Sequence, residues 1–388
     1  MDRETETSGR GEPVTLVLGI ESSCDETSLA ILDGEGRILA SVVASQTEAH
    51  LRYGGVVPEI AARAHLTNLP PLLDAVLERA GVRLSQITLV AATAGPGLVG
   101  ALLVGLSEGK GLALGLGVPF VPVHHIEGHC VSPFLTLDGS AARPIPDSWS
   151  ALVVSGGHTH VYRFEPSGIH RLARTRDDAA GEAFDKVAKM AGLGYPGGPV
   201  VDRLARRGRA SVPFAIPRFK DGTHDFSFSG LKTSVRDRIA ALGMTPSTGM
   251  PVAARTLPEQ DAPESLRDLL ADFQEAVVAQ LEDRLGALHA ARPIVLLSVS
   301  GGVAANSLLR ERLSGWARAH GVNVLLPERP LTSDNAAMIA FAGLRRFLRG
   351  EEGEGLGAPA RSRWPLETET FGNALESAAR HALGANNP

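Results

Sequence analysis

Cysteine, aromatic residues and excess positive charge are all scarce in this 388-residue chain, and each scarcity excludes a class of protein. Two cysteines, Cys24 and Cys130, cannot build a disulfide scaffold. Aromatic side chains make up 5% of the residues, which is sparse for a protein that stacks single-stranded nucleic acid. The formal net charge of −5 leaves no overall basic field that would attract nucleic acid.

Long hydrophobic runs without helix breakers are also missing. The longest uncharged run, residues 84–107, contains Gln, Thr, Ser and the breaker Gly95-Pro96-Gly97, so we do not expect it to span a membrane. No signal peptide opens the sequence. We therefore expect a cytoplasmic protein that has no membrane partner.

Strand-like and helix-like segments alternate along most of the chain, which predicts an α/β protein with two sheet-containing lobes. The order of apolar strand, small polar turn and second strand occurs at residues 14–33 and again at 151–164. We further predict a disordered lead-in at 1–13, a surface insertion at 242–263 and a weakly structured tail at 351–388. Ligands of such folds usually bind in the crevice between the lobes.

The sharpest local pattern is the segment His125-Ile-Glu-Gly-His129. Two histidines four residues apart share one face of a helix, which suits two imidazoles on one metal ion. Spacing alone leaves a metal site and an ordinary pair of histidines equally open. The segment resembles the zinc peptidase pattern H-E-x-x-H only in part, because Glu127 lies about 200° around the helix from His125 and points away from such a metal. A third ligand must come from elsewhere.

Small polar or glycine-rich turns follow several predicted strands, at residues 21–26, 156–157, 197–198 and 301–302. Glycine lets backbone N–H groups approach an anion closely, so together these turns point to a nucleotide phosphate. None of them matches the P-loop or the Rossmann pattern. The acidic residues around Asp177, Asp178, Glu182 and Asp185 stand at a helix start, where negative charge is ordinary.

Ten short motifs occur in the order typical of one enzyme family. They are residues 19–27 (GIESSCDET), 54–59 (GGVVPE), 93–98 (TAGPGL), 124–129 (HHIEGH), 154–159 (VSGGHT), 177–186 (DDAAGEAFDK), 195–199 (YPGGP), 226–232 (FSFSGLK), 300–306 (SGGVAAN) and 332–335 (TSDN). With these motifs the chain resembles the tRNA N6-adenosine threonylcarbamoyltransferase family, whose members were once described as glycoprotein endopeptidases. The resemblance spans residues 14–349.

The resemblance implies an actin- and hexokinase-like α/β fold (ASKHA), in which two duplicated lobes enclose a nucleotide and a metal. The expected lobes are residues 14–126 plus 333–350, and residues 127–332. The implied metal ligands are His125, His129 and Asp334, with one divalent ion per subunit, Fe2+ first and Zn2+ as the other option. The implied adenylate-binding residues are Val154, Ser155, Gly156, Gly157, His158, Asp185, Gly198, Asp202 and Asn306.

The implied reaction moves the threonylcarbamoyl group of threonylcarbamoyl-AMP to N6 of adenosine 37 in tRNAs that read ANN codons. Asp25 is the candidate base for the amine proton. Because the net charge is negative, we expect partner proteins to help present the tRNA. The resemblance implies two such partners, TsaB-like and TsaE-like. A metal-dependent peptidase, a sugar-kinase-like phosphotransferase and a non-catalytic nucleotide-binding scaffold are the alternatives.

Overall fold

Two mixed β-sheets with the same strand order form the frame of the chain. The structure, a computed structural model, describes residues 15–51, 53–243, 259–367 and 369–370. The first sheet has the order β3-β2-β1-β4-β5 and contains β1 (Leu16–Glu21), β2 (Glu26–Asp33), β3 (Ile38–Ser45), β4 (Leu89–Gly95) and β5 (Phe120–His124). The strands β1, β2 and β3 pair antiparallel, whereas β4 and β5 continue the sheet parallel to β1.

The second sheet repeats this arrangement. It has the order β10-β9-β6-β7-β8-β11 and contains β6 (Trp149–Val154), β7 (Thr159–Glu165), β8 (Gly168–Arg174), β9 (Leu296–Ser300), β10 (Asn323–Leu325) and β11 (Glu369–Thr370). Without the added edge strand β11, β6 to β10 take the same relative positions and directions as β1 to β5. The repeat seen in the sequence at 14–33 and 151–164 therefore extends to all five strands.

Helices cover both sheets and also lie between them. The first sheet carries α1 (Thr47–Leu51), α2 (Pro58–Ala80) and α3 (Val99–Leu116), and the second carries α5 (Ala180–Met190), α6 (Gly197–Ala205), α7 (Ser229–Ala241), α8 (Glu264–Ala291) and α9 (Ser307–His320). Between the sheets lie α4 (His125–Val131) and α10 (Ala336–Leu348), in a core cluster that takes residues from both sheets. This central layer brings the candidate metal ligands to the cleft.

Close packing of α10 on β1 fixes the start of that helix. A Cβ atom on Gly19 would lie 2.4 Å from the Ala336 carbonyl oxygen, so the approach requires glycine in β1. The Ala336 N–H donates to Ser28 Oγ at 2.9 Å, and the Asn335 side chain accepts from Met338 N–H as an N-cap. Asp334, directly before this cap, is thereby held at the cleft.

Most predicted helices and strands are present with ends shifted by a few residues, but five of the described elements were not predicted: α1, α7, β8, β10 and β11. In β8 a single residue, Ala173, is buried, so no alternation of apolar and polar residues marks this strand. The predicted insertion lies mostly outside the described residues, which omit 244–258, and so does the lead-in at 1–13.

The tail differs from expectation in its first part. Residues 351–367 pack against the first sheet, with Ala358 fully buried and Leu366 buried. Their sequence has no periodic pattern that would predict this packing. Residues 368 and 371–388 lie outside the described part of the chain.

Within the described part of the chain, one helix, Val99–Leu116, is long and apolar enough to cross a membrane by length and composition alone. A Cβ atom on its Gly109 would lie 3.1 Å from Ala92 Cβ in β4 and 3.4 Å from Ile20 Cδ1 in β1, as in a helix packed on a sheet. The length and composition of this helix are therefore weak evidence for a membrane span.

Candidate metal centre and nucleotide cavity

Corresponding turns of the two sheets meet at a cavity of about 730 Å³. Its wall contains the turn after β1 (residues 23–25), the turn after β4 (residues 96–98) and the turn after β6 (residues 155–158). A second cavity of about 480 Å³ adjoins it, and Gly156 and Asp185 line both. The two cavities are therefore neighbouring compartments of one cleft.

Three potential metal ligands converge at the first compartment. One ligand atom each from His125, His129 and Asp334 lies within 4.8 Å of the others. Asp334 Oδ1 is 3.0 Å from His129 Nε2 and 3.5 Å from His125 Nε2. Both histidines are on α4, which begins at His125, and Asp334 comes from the segment before α10. The helical spacing read from the sequence thus does put the two imidazoles side by side, with ring centroids 4.7 Å apart.

A buried carboxylate holds the second nitrogen of His125. Glu21, the last residue of β1, is fully buried, and its Oε2 lies 3.0 Å from His125 Nδ1. The same carboxylate accepts hydrogen bonds from Thr93 Oγ1 at 2.6 Å and from Ser23 N–H at 2.5 Å. A metal-binding histidine usually pairs its other ring nitrogen with a carboxylate. The carboxylate fixes the orientation of the ring and raises the basicity of the imidazole.

The charges at this centre shift one another's pKa values strongly. Burial lowers the pKa of His125, but Glu21 and Asp334 outweigh that effect and raise it to about 9. Burial raises the pKa of Glu21, yet the His125 charge and hydrogen bond bring it below its usual value. The pKa of Asp334 is likewise lowered by both histidines against the effect of burial. A proton on His125 stands where a cation would bind, so metal binding would release it.

The residues fit a divalent transition metal. Two imidazoles and one carboxylate suit Fe2+ or Zn2+, and three protein ligands beside an open cavity are typical of a catalytic rather than a structural site. His129 Nδ1 is buried without a hydrogen-bond partner among the described residues, so the ring is held through Nε2 and its contact with Asp334.

The turn after β6 presents backbone rather than charge. Ser155 N–H donates to the His158 carbonyl at 2.7 Å, and His158 N–H donates to Ser155 Oγ at 3.1 Å. A Cβ atom on Gly156 or Gly157 would meet nothing within 4 Å, so both glycines face open space. Burial lowers the pKa of His158 to about 4, and this ring is neutral.

The second compartment contains the other predicted adenylate residues. Asp185, Gly198, Asp202 and Asn306 all line it. Asp185 accepts from Gly197 N–H at 2.7 Å, and burial raises its pKa to about 6. Asp202 accepts from Ser307 Oγ at 2.6 Å, and Asn306 caps α9, so both also hold the start of that helix. Val154 is the exception, because it is fully buried in β6 and lines neither cavity.

Other residues singled out in the sequence have structural partners. Asp177 accepts from Phe228 N–H and two serine hydroxyls at the start of α7, and Asp178 pairs with Lys186 and Lys232. Glu127 is buried and pairs with Arg346 at 3.2 Å. Glu127 therefore does not reach the metal face, in agreement with its position on the helix. Asp25 lines the first compartment.

Sequence analysis did not foresee the role of Glu21 and Thr93. Glu21 was visible as part of a polar turn, but its partners Thr93 and His125 are 72 and 104 residues further along the chain. Only the fold shows that they meet.

The repeated sheets and the cleft between them define a two-lobed α/β protein of the actin and hexokinase kind. Two solved structures support this fold alone: HypF from T. kodakarensis, with a TM-score of 0.55, 15% identity and coverage of 88% of this chain and 49% of that one, and a full-length HypF in its phosphate- and nucleotide-bound form, with a TM-score of 0.53, 11% identity and coverage of 87% and 56%. The fold class expected from the sequence is confirmed.

The family described as "TsaD: tRNA N6-adenosine threonylcarbamoyltransferase" matches residues 37–341. Curated proteins of that name are similar over nearly their whole length. The protein from Rhizobium meliloti is 46% identical over 366 residues, with 91% of this chain and 96% of the relative covered. The protein from Aromatoleum aromaticum is 47% identical over 354 residues, with 90% and 97% covered. The chain belongs to the tRNA N6-adenosine threonylcarbamoyltransferase family, as its motifs predicted.

Proposed function

We propose that this chain transfers the threonylcarbamoyl group of threonylcarbamoyl-AMP to N6 of adenosine 37 in tRNAs that read ANN codons, forming t6A37 and releasing AMP. Family membership supports the reaction class. The observation that carries the rest is the geometry of the cleft: His125 and Asp334 line the same compartment as the open glycines 156 and 157. A nucleotide phosphate beside those glycines would have the histidine and carboxylate cluster next to it.

The reaction forms one bond and breaks one bond at the carbamoyl carbon. The adenosine N6 attacks this carbon, the C–O bond to the phosphate breaks, and AMP leaves with the electron pair while N6 loses a proton. The proposed acceptor of this proton is Asp25, which lines the compartment in the turn after β1. The N–H groups of Gly156 and Gly157 make no hydrogen bond within the described part of the chain, so they are available to stabilise negative charge on the ligand.

The proposed cofactor is one divalent metal per subunit, Fe2+ first and Zn2+ as the alternative, held by His125, His129 and Asp334. Bound there, it would supply Lewis-acid polarisation and a fixed point for the phosphate. The adenosine part of the substrate would occupy the second compartment, beside Asp185, Gly198, Asp202 and Asn306.

Protein partners complete the proposal. A net charge of −5 argues against strong unaided binding to tRNA, which supports TsaB-like and TsaE-like partners in a cytoplasmic complex. The outer face of α2 and α3 exposes apolar side chains, among them Leu66 at 63%, Leu103 at 49% and Val99 at 47% exposure. Such a patch is typical of a protein interface.

The test is to incubate the purified chain with threonylcarbamoyl-AMP and unmodified ANN-decoding tRNA, with and without the two partner proteins. The mass of the nucleoside at position 37 is then measured. We expect the threonylcarbamoyl adduct, and we expect His125→Ala to lower its rate by roughly 10³-fold, because a Lewis-acid metal contributes several kcal/mol to the barrier.

His320→Ala, in the last turn of α9, is the matched histidine control and should retain full activity. Metal analysis of both variants and of the wild type identifies the ion. If no adduct forms with all partners and either metal present, the transferase proposal fails. The nucleotide-binding scaffold would then be the better description.

A further inference from the structure

The segment after α10 crosses the ends of the neighbouring strands β4 and β5. We name residues 354–367 the C-terminal strap. Arg361 N–H donates to the Ala94 carbonyl in β4 at 2.8 Å, and Lys110 of α3 donates to the Ala358 carbonyl at 2.5 Å. A Cβ atom on Gly95 would lie 2.1 Å from the Arg361 carbonyl oxygen, so glycine is needed where the strap passes. Since Gly95 pairs with His124 in the sheet, the strap reaches the last residue of β5.

His124 joins the strap to the helix that carries the candidate metal ligands. Its Nε2 donates to the Trp364 carbonyl at 2.8 Å, and its Nδ1 accepts from Ile126 N–H at 3.1 Å. The Trp364 ring lies against the imidazole, with centroids 4.8 Å apart. Because a carbonyl only accepts and an amide N–H only donates, the two bonds allow a single neutral tautomer of His124.

His124 directly precedes one of the candidate metal ligands in the chain. It is the N-cap of α4, and the next residue, His125, is both the first helical residue and a candidate ligand. The ring is 2% exposed and lines neither cavity, so it has no direct route to substrate. Its two hydrogen bonds instead join the first turn of α4 to the strap.

We propose that His124, held by the strap through Trp364, is a positioning residue that pre-aligns His125 and His129 for metal binding. The inference rests on the proposed function, because it takes the His125, His129 and Asp334 cluster to bind a divalent metal. A cap that only stabilised the fold would affect the free energy of unfolding and leave metal affinity in the folded protein unchanged.

Co2+ titration of the full-length protein, followed by the visible absorption of the bound ion, tests this directly. We expect His124→Leu to weaken Co2+ binding by about 10–100-fold, the range measured for partners that orient metal ligands. His124→Gln keeps an acceptor and a donor on one side chain, and it should restore most of the affinity. Trp364→Ala should weaken binding in the same direction and by less, since the Trp364 carbonyl remains.

Trp316→Ala is the matched control, because Trp316 stacks on His320 of α9 at 4.9 Å, away from the centre. It should leave Co2+ affinity unchanged, with folding of each variant checked by circular dichroism. Equal affinity in wild type, His124→Leu and Trp364→Ala would overturn the positioning role. If His124→Leu does not fold, the comparison of Trp364→Ala with Trp316→Ala decides. Failure of the wild type to bind Co2+ would instead count against the proposed metal centre itself.

Discussion

The two sheets share one strand order but bring different chemistry to the cleft. At the end of β1 lies a buried carboxylate, Glu21, bonded to His125 beside Asp334. At the equivalent end of β6 lies a neutral turn whose two glycines face open space. The repeat therefore fixes where a turn is located, while the residues in it decide whether it supplies charge or backbone N–H groups. The first two of the following predictions test this division, and the third concerns the second compartment.

Removing the charge at the first turn should have the largest effect. Glu21→Gln keeps the size of the side chain but removes the negative charge next to His125 Nδ1, and its amide would face the Ser23 N–H donor. We expect metal affinity, measured by calorimetric titration with Zn2+, to fall by about 10–100-fold.

Glu26→Gln is the control for this change. Glu26 lies at the other end of the same turn, and its side chain accepts from Ser45 Oγ at 3.0 Å instead of from His125. A Glu21→Gln protein that binds metal as tightly as Glu26→Gln would remove the distinction between the charged turn and the neutral one.

Filling the open space at the second turn should have an intermediate effect on substrate and none on the fold. A Cβ on Gly157 meets no atom within 4 Å, so Gly157→Ala should leave the Tm unchanged. It would occupy space proposed for the nucleotide, and we expect KM for threonylcarbamoyl-AMP to rise about tenfold, which corresponds to about 1.4 kcal/mol.

Gly181→Ala gives the opposite pattern. Its Cβ would lie 2.6 Å from the Ser155 carbonyl oxygen, so it should distort the turn and lower the Tm. The two variants together separate ligand space from structural close packing. Unchanged KM in Gly157→Ala would mean that this turn does not meet the nucleotide.

The smallest expected effect is a change in thermal stability, and it comes from Asp185, a carboxyl group of the second compartment whose pKa is raised. Burial, with contributions from the charges of Asp25 and Glu182, raises the pKa of Asp185 from 3.8 to about 6. The folded state then binds this proton more tightly than the unfolded chain, so the associated stability is present below about pH 4 and is lost as pH rises through about 6.

Asp185→Asn removes the buried charge that exists above that range. By scanning calorimetry we expect the Tm to rise by about 2–5 °C at pH 7.5 and by clearly less at pH 5. An equal rise of the Tm at both pH values would show that burial of the Asp185 charge is not the cause of the rise. A lower Tm would show that the carboxylate stabilises the fold.

The features that could be predicted from the sequence are those that a local pattern or the order of motifs encodes. Strands β1 and β4 were visible because all of their residues are buried, which gives continuous apolar runs. The His125 and His129 pair was visible because helical spacing is local. In contrast, the three buried residues of α7, Leu231, Val235 and Ile239, have helical spacing but stand among polar neighbours, and the helix was not predicted. The strap has no period at all, so tertiary contacts alone define it.

The same limit applies to the site. The equivalence of the two turns follows from strand order, which no single segment carries. The motif at 332–335 supplied Asp334 as a ligand by resemblance, whereas Glu21 needed the fold to reveal its partner.

The order in which the chain is made also matters for the centre. Glu21, Thr93 and His125 are translated early and can pair within the nascent first sheet, but Asp334 follows His129 by 205 residues. At ribosomal rates of about 5–20 residues per second, the third ligand emerges roughly 10–40 s after the second. The metal centre is thus a late product of translation, and a cation meets a complete site only after residue 334 has left the ribosome.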